Sequence, residues 1–219
     1  MAADKKALIF ILLSLNISSL WALDYGFKVN MGISSGAGQE WNQMLDDSGN
    51  RDFADVLGTF GMGVFAEMNV SPVNIFAPEL YYIFNRGVHL SNSRDEFIKI
   101  SSIHSLELIL PIAREFPFSG GDKAIRLMGG FQILYSFNIV ETSRINDMED
   151  RIEQKNETPL SLGLVLGTGL EFKRMEKRSY IGDFRIKLPF TDSLSYSAAD
   201  GSPRSLKTVE LLLGGGIKF

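Results

Sequence analysis

The stretch of the chain that most constrains its fold is residues 207–219, which read KTVELLLGGGIKF. Apart from Gly215, every second residue along it is apolar: Val209, Leu211, Leu213, Ile217 and Phe219. Side chains with a period of two lie on one face of a β-strand, whereas a helix would need a period near 3.6. The stretch therefore predicts a strand with one apolar face. It ends on an aromatic residue with no polar tail, as expected of a strand that closes a barrel in a membrane.

Seven earlier segments show the same alternation. In the fifth of the predicted strands, for example, Leu127, Phe131 and Ile133 alternate with Arg126 and Gln132. Glycine, proline and polar residues separate the segments, as they do in hairpins. Together with the last stretch, the alternation predicts eight strands, at residues 24–34, 56–70, 75–86, 98–113, 124–138, 159–173, 180–191 and 207–219.

The connections between these strands alternate in length, with long ones at residues 35–55, 87–97, 139–158 and 192–206. An even number of antiparallel strands joined by alternately long and short connections is the layout of bacterial outer-membrane barrels, in which short turns face the periplasm. The predicted fold is therefore all-β: an eight-stranded antiparallel up-and-down transmembrane β-barrel at residues 23–219. One short helix is expected in the first long connection, and one helical turn at residues 148–154.

The volume of the apolar side chains predicts which face looks outward. About 40 large apolar residues share the apolar face of the eight strands, more than the interior of an eight-stranded barrel can hold. The outer wall has room for them, so we expect this face to contact lipid. The alternative is a soluble barrel or sandwich with the apolar face buried and the charges in water.

The opposite face of the strands carries glycine, serine, asparagine and balanced charges. Buried charges are costly unless they are paired, so equal numbers of the two signs indicate an interior closed by ion pairs. The predicted charge network of the barrel interior consists of Lys28, Arg126, Lys173, Arg185, Lys187 and Lys218 with Glu67, Glu79, Glu107, Glu171, Asp183 and Glu210.

The N-terminal residues have the pattern of an export signal. Lys5 and Lys6 precede an apolar run at residues 7–15, which is too short to span a bilayer as a helix. Residues 1–22 are therefore predicted to be a signal peptide cleaved after Ala22, with an uncleaved anchor as the alternative. The chain has no cysteine and a net charge of −4, which excludes disulfides and argues against a nucleic-acid partner.

In its signal, its eight alternating strands, its loop asymmetry and the terminal Phe219, the chain resembles the small eight-stranded outer-membrane barrels of diderm bacteria, of the OmpA/OmpX/OmpW and PorT-like kind. The resemblance covers nearly the whole mature chain and rests on no local motif. It implies a location in the bacterial outer membrane, outer-membrane lipid as a partner, and a ligand at the four surface loops. It also implies that the barrel-assembly machinery reads the last strand, here through Val209, Leu211, Leu213, Ile217 and Phe219.

The resemblance leaves three functions open. A structural or surface-interaction role is the first expectation, because paired charges close the lumen, and a narrow or gated pore or carrier for small solutes is the alternative. A lipid-modifying enzyme is the third. Its sequence support is Ser102-Ile103-His104, in which Ser102 and His104 are expected to share the outer face of a strand, with no acid beside them. We therefore expect no enzyme activity, no catalytic residue, no cofactor and no metal site.

Overall fold

The computed structural model describes residues 23–47, 56–91, 97–118, 120–145, 148–174, 178–197 and 203–219. The predicted signal peptide, residues 1–22, lies outside the described residues. Within these ranges the elements are β1 Asp24–Ala37, α1 Gln39–Asp47, β2 Leu57–Asn69, β3 Asn74–Phe76, β4 Glu79–Ser91, β5 Phe97–Pro117, β6 Lys123–Ser136, β7 Asn138–Ile145, β8 Met148–Lys155, β9 Leu160–Arg174, β10 Arg178–Pro189, β11 Leu194–Ser197 and β12 Pro203–Lys218.

Eight of these strands pair in a closed antiparallel ring, in the order β1, β2, β4, β5, β6, β9, β10 and β12. The last strand closes the ring, because β12 pairs with β1 on one side and with β10 on the other. Closure leaves no unpaired edge within the wall, which is what lipid requires of a sheet. The predicted eight-stranded antiparallel barrel is confirmed.

The outer wall is apolar, and the interior is polar apart from one buried cluster of Tyr81, Ile83, Ile109, Leu134 and Val165. Phe27, Met31, Phe131 and Leu213 point outward, and each exposes about three fifths of its surface. Their neighbours in sequence point inward, as the pleat of a strand dictates. A continuous apolar surface of this size fits contact with lipid rather than with water.

Helices contribute little to the described part of the chain. No helix there is long and apolar enough to cross a membrane.

The third predicted strand, residues 75–86, is interrupted. The short β3 and the longer β4 are separated by Ala77 and Pro78. Pro78 has no N–H to donate to the ladder, although its carbonyl accepts a hydrogen bond from the N–H of Ala66 at 3.1 Å. Pro111, by contrast, lies inside β5 and pairs with Gly130.

On the loop side, the strands extend beyond their predicted ends. β4 continues to Ser91, and β7 pairs with the beginning of β5 and forms a hairpin with β8. The helical turn predicted at residues 148–154 is wrong, because these residues lie in β8. The extension buries apolar side chains that point inward above the barrel, among them Val88, Leu90, Ile98, Ile100 and Ile139.

The predicted helix of the first long connection is present as α1, which lies at the loop-side end of the barrel. Gly38 has a φ of +95°, a conformation that favours glycine, and it allows the chain to turn from β1 into the helix. Trp41 and Met44 of α1 are buried in an apolar cluster with Val88, Leu90, Ile100, Ile139, Leu194, Tyr196 and Leu206. We call these nine residues the apolar cap.

Candidate functional site: a charge-paired barrel interior

Twelve charged side chains are buried inside the barrel, six basic and six acidic among the described residues. Every strand of the ring contributes at least one of them. They form three clusters along the barrel axis, each with two charges of either sign. We call these the turn-side cluster (Glu67, Arg126, Glu171 and Lys218), the central cluster (Lys28, Glu79, Asp183 and Arg185) and the loop-side cluster (Arg86, Glu107, Lys187 and Glu210).

The central cluster is built around Arg185, whose side chain is fully buried. Its guanidinium donates hydrogen bonds to both oxygens of Glu79 at 2.5 and 2.9 Å, and to both oxygens of Asp183 at 2.9 and 2.8 Å. Lys28 Nζ lies 2.8 Å from Glu79 Oε1 and 3.2 Å from Asp183 Oδ2. The Tyr81 hydroxyl also donates to Glu79, at 2.8 Å. The two carboxylates are therefore neutralised and are held by charge-assisted hydrogen bonds.

The loop-side cluster lies one level nearer to the surface loops. Lys187 Nζ donates to both oxygens of Glu107, at 2.7 and 2.6 Å, and lies 3.4 Å from Glu210 Oε2. Arg86 Nε donates to the other oxygen of Glu210. Glu210 therefore links the two cations across the interior.

The turn-side cluster lies at the opposite end of the barrel. Arg126 donates to both oxygens of Glu67 and also contacts Glu171. Lys218 Nζ lies 2.9 Å from Glu67 and 2.7 Å from Glu171. Glu67, Glu171 and Lys218 of this cluster line a recess of about 480 Å³ that opens toward the turns.

Hydroxyl groups occupy the level between the loop-side cluster and the apolar cap. Ser193 Oγ and Thr208 Oγ1 lie 3.0 Å apart, and Ser34 Oγ donates to the carbonyl of Gly87 at 2.6 Å. The hydroxyl of Ser105 bonds to those of Ser102 and Ser136 at 3.1 and 3.2 Å. Along its axis, the interior thus passes from three ionic levels through a hydroxyl level to the apolar cap.

Glycines in β12 make room for the central cluster. A Cβ atom on Gly214 would lie 2.6 Å from Asn30 Oδ1, and one on Gly216 would lie 2.5 Å from Lys28 Cγ. Both distances are shorter than side-chain atoms tolerate. The glycine run of the last strand therefore gives space to the buried polar side chains, while Gly215 faces away from them.

The structure buries eleven of the twelve side chains of the predicted charge network, and Lys173 is the exception. The side chain of Lys173 is 42% exposed at the turn-side rim, where its Nζ lies 2.7 Å from Glu115. Glu115 was missed because β5 runs four residues beyond the predicted strand end. Arg86 was missed for a different reason. The alternation of the strand predicts that it faces outward, but the alternation changes within β4.

An irregularity shared by β4 and β5 produces that change. Phe84 pairs with His104 and Arg86 pairs with Ser102, but no pairing joins the residues between them. Asn85 has a φ of +55° there, a conformation that asparagine tolerates better than most residues. Beyond this point the alternation is shifted by one, so Arg86 and Ser102 point inward. In the sequence, the feature that could have indicated this irregularity is Asn85 itself, an asparagine inside a strand pattern.

The shift also separates the Ser102 and His104 side chains. The expectation that both share the outer face is wrong, because Ser102 is fully buried while His104 is exposed. The Ser102 hydroxyl donates to the backbone carbonyl of His104 at 2.9 Å. The His104 ring instead lies outside, 5.7 and 6.1 Å from the rings of Tyr82 and Phe84.

The residues of the predicted assembly signal lie on the outer face of β12. Leu213 is the most exposed of them, and Leu211, Ile217 and Phe219 each expose nearly two fifths of their surface, while Val209 is half-buried. The Phe219 ring lies 6.1 Å from the ring of Tyr25 and 6.4 Å from that of Phe27. Recognition of this strand by the assembly machinery stays a prediction.

A closed antiparallel barrel with an apolar outer wall and a polar interior is a transmembrane β-barrel, and an eight-stranded one is a small outer-membrane barrel. The family model of the outer membrane protein beta-barrel domain matches residues 19–195 of the chain. The chain belongs to this family, and its location is the bacterial outer membrane.

Three solved structures illustrate what the chain is similar to. Neisserial surface protein A shares 10% identity at a TM-score of 0.44, over 89% of this chain and 97% of that one. Ail, the attachment invasion locus protein of Yersinia pestis, shares 10% sequence identity at a TM-score of 0.41. The match covers 90% of this chain and 99% of that one. The outer membrane protease OmpT of Escherichia coli shares 8% sequence identity at a TM-score of 0.41. The match covers 90% of this chain and 96% of that one. None of these likenesses bears on function, and no curated protein matches the chain in sequence.

Proposed function

We propose that this protein is a non-conducting barrel of the outer membrane with a structural or surface-interaction role. The observation that carries the proposal is the filled interior. Three neutral ionic clusters, a hydroxyl level and the apolar cap follow one another along the axis. A hydrated ion would have to displace each of them in turn.

The energetics of the clusters favour a closed lumen over a gated one. Breaking one buried ion pair costs about 3–5 kcal/mol. Each 1.4 kcal/mol changes an equilibrium constant tenfold, so a single cluster would be open about 1% of the time or less. Three such clusters in series make an open path far rarer. The recess at the turn side is lined by Glu67, Glu171 and Lys218 of the turn-side cluster, so these ion pairs stand between its water and the central cluster.

The surface-interaction part of the proposal rests on the loop-side extension. The hairpin of β7 and β8, the short β11 and the helix α1 all lie beyond the part of the wall that carries the apolar outer face. In bacterial outer-membrane barrels, the side with long loops faces outside. The apolar cap holds α1, β7 and β11 in place, and β8 pairs with β7 along its length, so these elements present a fixed surface to the cell exterior.

Planar-bilayer recordings of the refolded protein test the closed lumen. We expect no steady unitary conductance in 1 M KCl, in membranes where a known porin inserted as a control conducts. A steady conductance of the wild-type protein would contradict the proposal and would favour the alternative of a narrow pore or carrier.

We also propose that the protein is not an enzyme. The support is the separation of Ser102 from the His104 ring, because a nucleophile and its base must lie within hydrogen-bond reach. We expect a His104→Ala variant to leave the composition of outer-membrane lipids unchanged. Loss of a lipid modification in cells that carry this variant would contradict the proposal.

A further inference from the structure

A row of basic side chains crosses four neighbouring strands of the loop-side wall. Strand pairing places His89 of β4 opposite Lys99 of β5, Lys99 opposite Thr142 of β7, and Thr142 opposite Arg151 of β8. Neighbouring strands are about 4.8 Å apart, so this row is about 14 Å long. We call His89, Lys99 and Arg151 the basic row.

The basic row faces away from the interior. Val88, Leu90 and Ile100 flank its members in sequence and are buried in the apolar cap. Because successive side chains of a strand point to opposite faces, His89 and Lys99 point outward. Within the part of the chain that the structure describes, neither Lys99 nor Arg151 makes an ion pair.

The outward residues beside the basic row complete a surface suited to an anionic saccharide. At the next level, the Phe97 ring lies 5.5 Å from the His89 ring, and the Arg144 guanidinium lies 5.3 Å from the Phe97 ring. Among the described residues beside the row, Glu149 lies 3.3 Å from Arg144, and Glu153 accepts a hydrogen bond from Asn138 at 3.0 Å. In the part of the chain that the structure describes, neither acid forms an ion pair with Lys99 or Arg151, so both cations are available to a ligand.

The height of the basic row above the membrane narrows the choice of partner. Phe137 is the last outward aromatic before β7, and Thr142, which stands in the row, follows it by five residues. At about 3.3 Å per residue and a tilt of about 40°, the row lies roughly 13 Å above Phe137. A phospholipid headgroup extends only about 5–8 Å beyond the hydrocarbon. A headgroup of several sugars reaches the row.

We propose that the basic row binds the negatively charged saccharide headgroup of a lipid in the outer leaflet. The row faces sideways along the membrane, where it meets molecules anchored in the same leaflet. Lys99 and Arg151 are two strand spacings apart, about 10 Å, so they pair with two separate anionic groups, and Arg151 offers the bidentate geometry that phosphate favours. The Phe97 ring offers an apolar surface to a sugar. The inference goes beyond the proposed function and does not depend on whether the lumen is closed.

Titration of the detergent-solubilised full chain with lipopolysaccharide that carries phosphorylated core sugars tests this site. Each Lys or Arg near an anionic membrane surface contributes about 1 kcal/mol, so we expect Lys99→Gln and Arg151→Gln each to weaken binding about fivefold. The matched control is Arg204→Gln, which removes one loop-side charge in a different sector of the barrel, and it should bind as the wild type does. Heat-modifiable gel migration verifies that each variant is folded.

Three outcomes would overturn the proposal. The first is unchanged affinity in both Lys99→Gln and Arg151→Gln. The second is equal binding of lipopolysaccharide after enzymatic dephosphorylation, which lacks the saccharide phosphates, or of phosphatidylglycerol, which lacks the saccharide. The third is equally tight binding of the soluble core oligosaccharide without its lipid, which would assign the row to a soluble glycan instead of a membrane lipid.

Discussion

Replacing Arg185 with methionine should destabilise the barrel more than any change in a surface ion pair. Methionine keeps much of the side-chain volume but removes four charge-assisted hydrogen bonds to Glu79 and Asp183. Lys28 alone then faces two buried carboxylates. Removing one partner of a buried ion pair costs about 3–5 kcal/mol, because the remaining charge loses its compensation. We expect the free energy of unfolding to fall by that amount.

Restoring the charge balance of the central cluster should recover part of the lost free energy of unfolding. In the double variant Arg185→Met, Asp183→Asn, one pair remains, since Lys28 Nζ lies 2.8 Å from Glu79 and Tyr81 still donates to the same carboxylate. Coupling energies between contacting residues reach about 0.5–3 kcal/mol. We therefore expect the double variant to be about 2 kcal/mol more stable than Arg185→Met alone.

Urea titrations in lipid vesicles, with the folded fraction read from gel migration, measure these differences. The control is Arg144→Met, which removes a cation from an ion pair with Glu149 whose side chains are 42% and 54% exposed. Exposed pairs contribute about 0–1 kcal/mol, so this variant should unfold almost as the wild type does. Similar losses for Arg185→Met and Arg144→Met, or a double variant less stable than Arg185→Met, would refute the reasoning.

Three further changes probe other parts of the barrel. Gly214→Val places side-chain atoms against Asn30 and should cost about 1–3 kcal/mol by overpacking in the same urea titration; an unchanged midpoint would show that the interior has spare room. Trp41→Ala removes the largest side chain of the apolar cap and should speed amide hydrogen exchange in β7 and β11 while the barrel strands keep their protection; uniform loss of protection would contradict a separate cap. Phe219→Ser should lower the amount of folded protein in the outer membrane more than Phe118→Ser in a turn, and equal amounts would count against an assembly signal in β12.

The barrel strands could be predicted from the sequence because each of them faces lipid on one side and the polar interior on the other. Lipid on one side and a polar interior on the other impose a period of two along every ring strand. The inward places of Lys28, Glu107 and Asp183 follow from that period alone. Prediction of the loop side was poorer, since residues such as Val88 and Leu90 point inward and are buried in the apolar cap, which the alternation does not encode.

Pairing within the interior could not be predicted from the sequence. Lys218 bonds to Glu67 across a sequence separation of 151 residues, and Arg185 bonds to Glu79 across 106. Which side chains pair depends on the position of each residue around the closed ring. Arg86 shows a second limit, because its inward orientation depends on the backbone of Asn85 and not on its place in the alternation.

The accessibility of Asn30 tests the closed interior most directly. The chain has no cysteine, so Asn30→Cys introduces a single thiol at a position that is only 4% exposed. In vesicles, the folded variant should resist a water-soluble charged thiol reagent, whereas Lys173→Cys at the turn-side rim should react fully. Both should react once the barrel is unfolded in urea. Reaction of Asn30→Cys in the folded barrel, at a rate close to that of Lys173→Cys, would show a water-filled lumen and contradict the account.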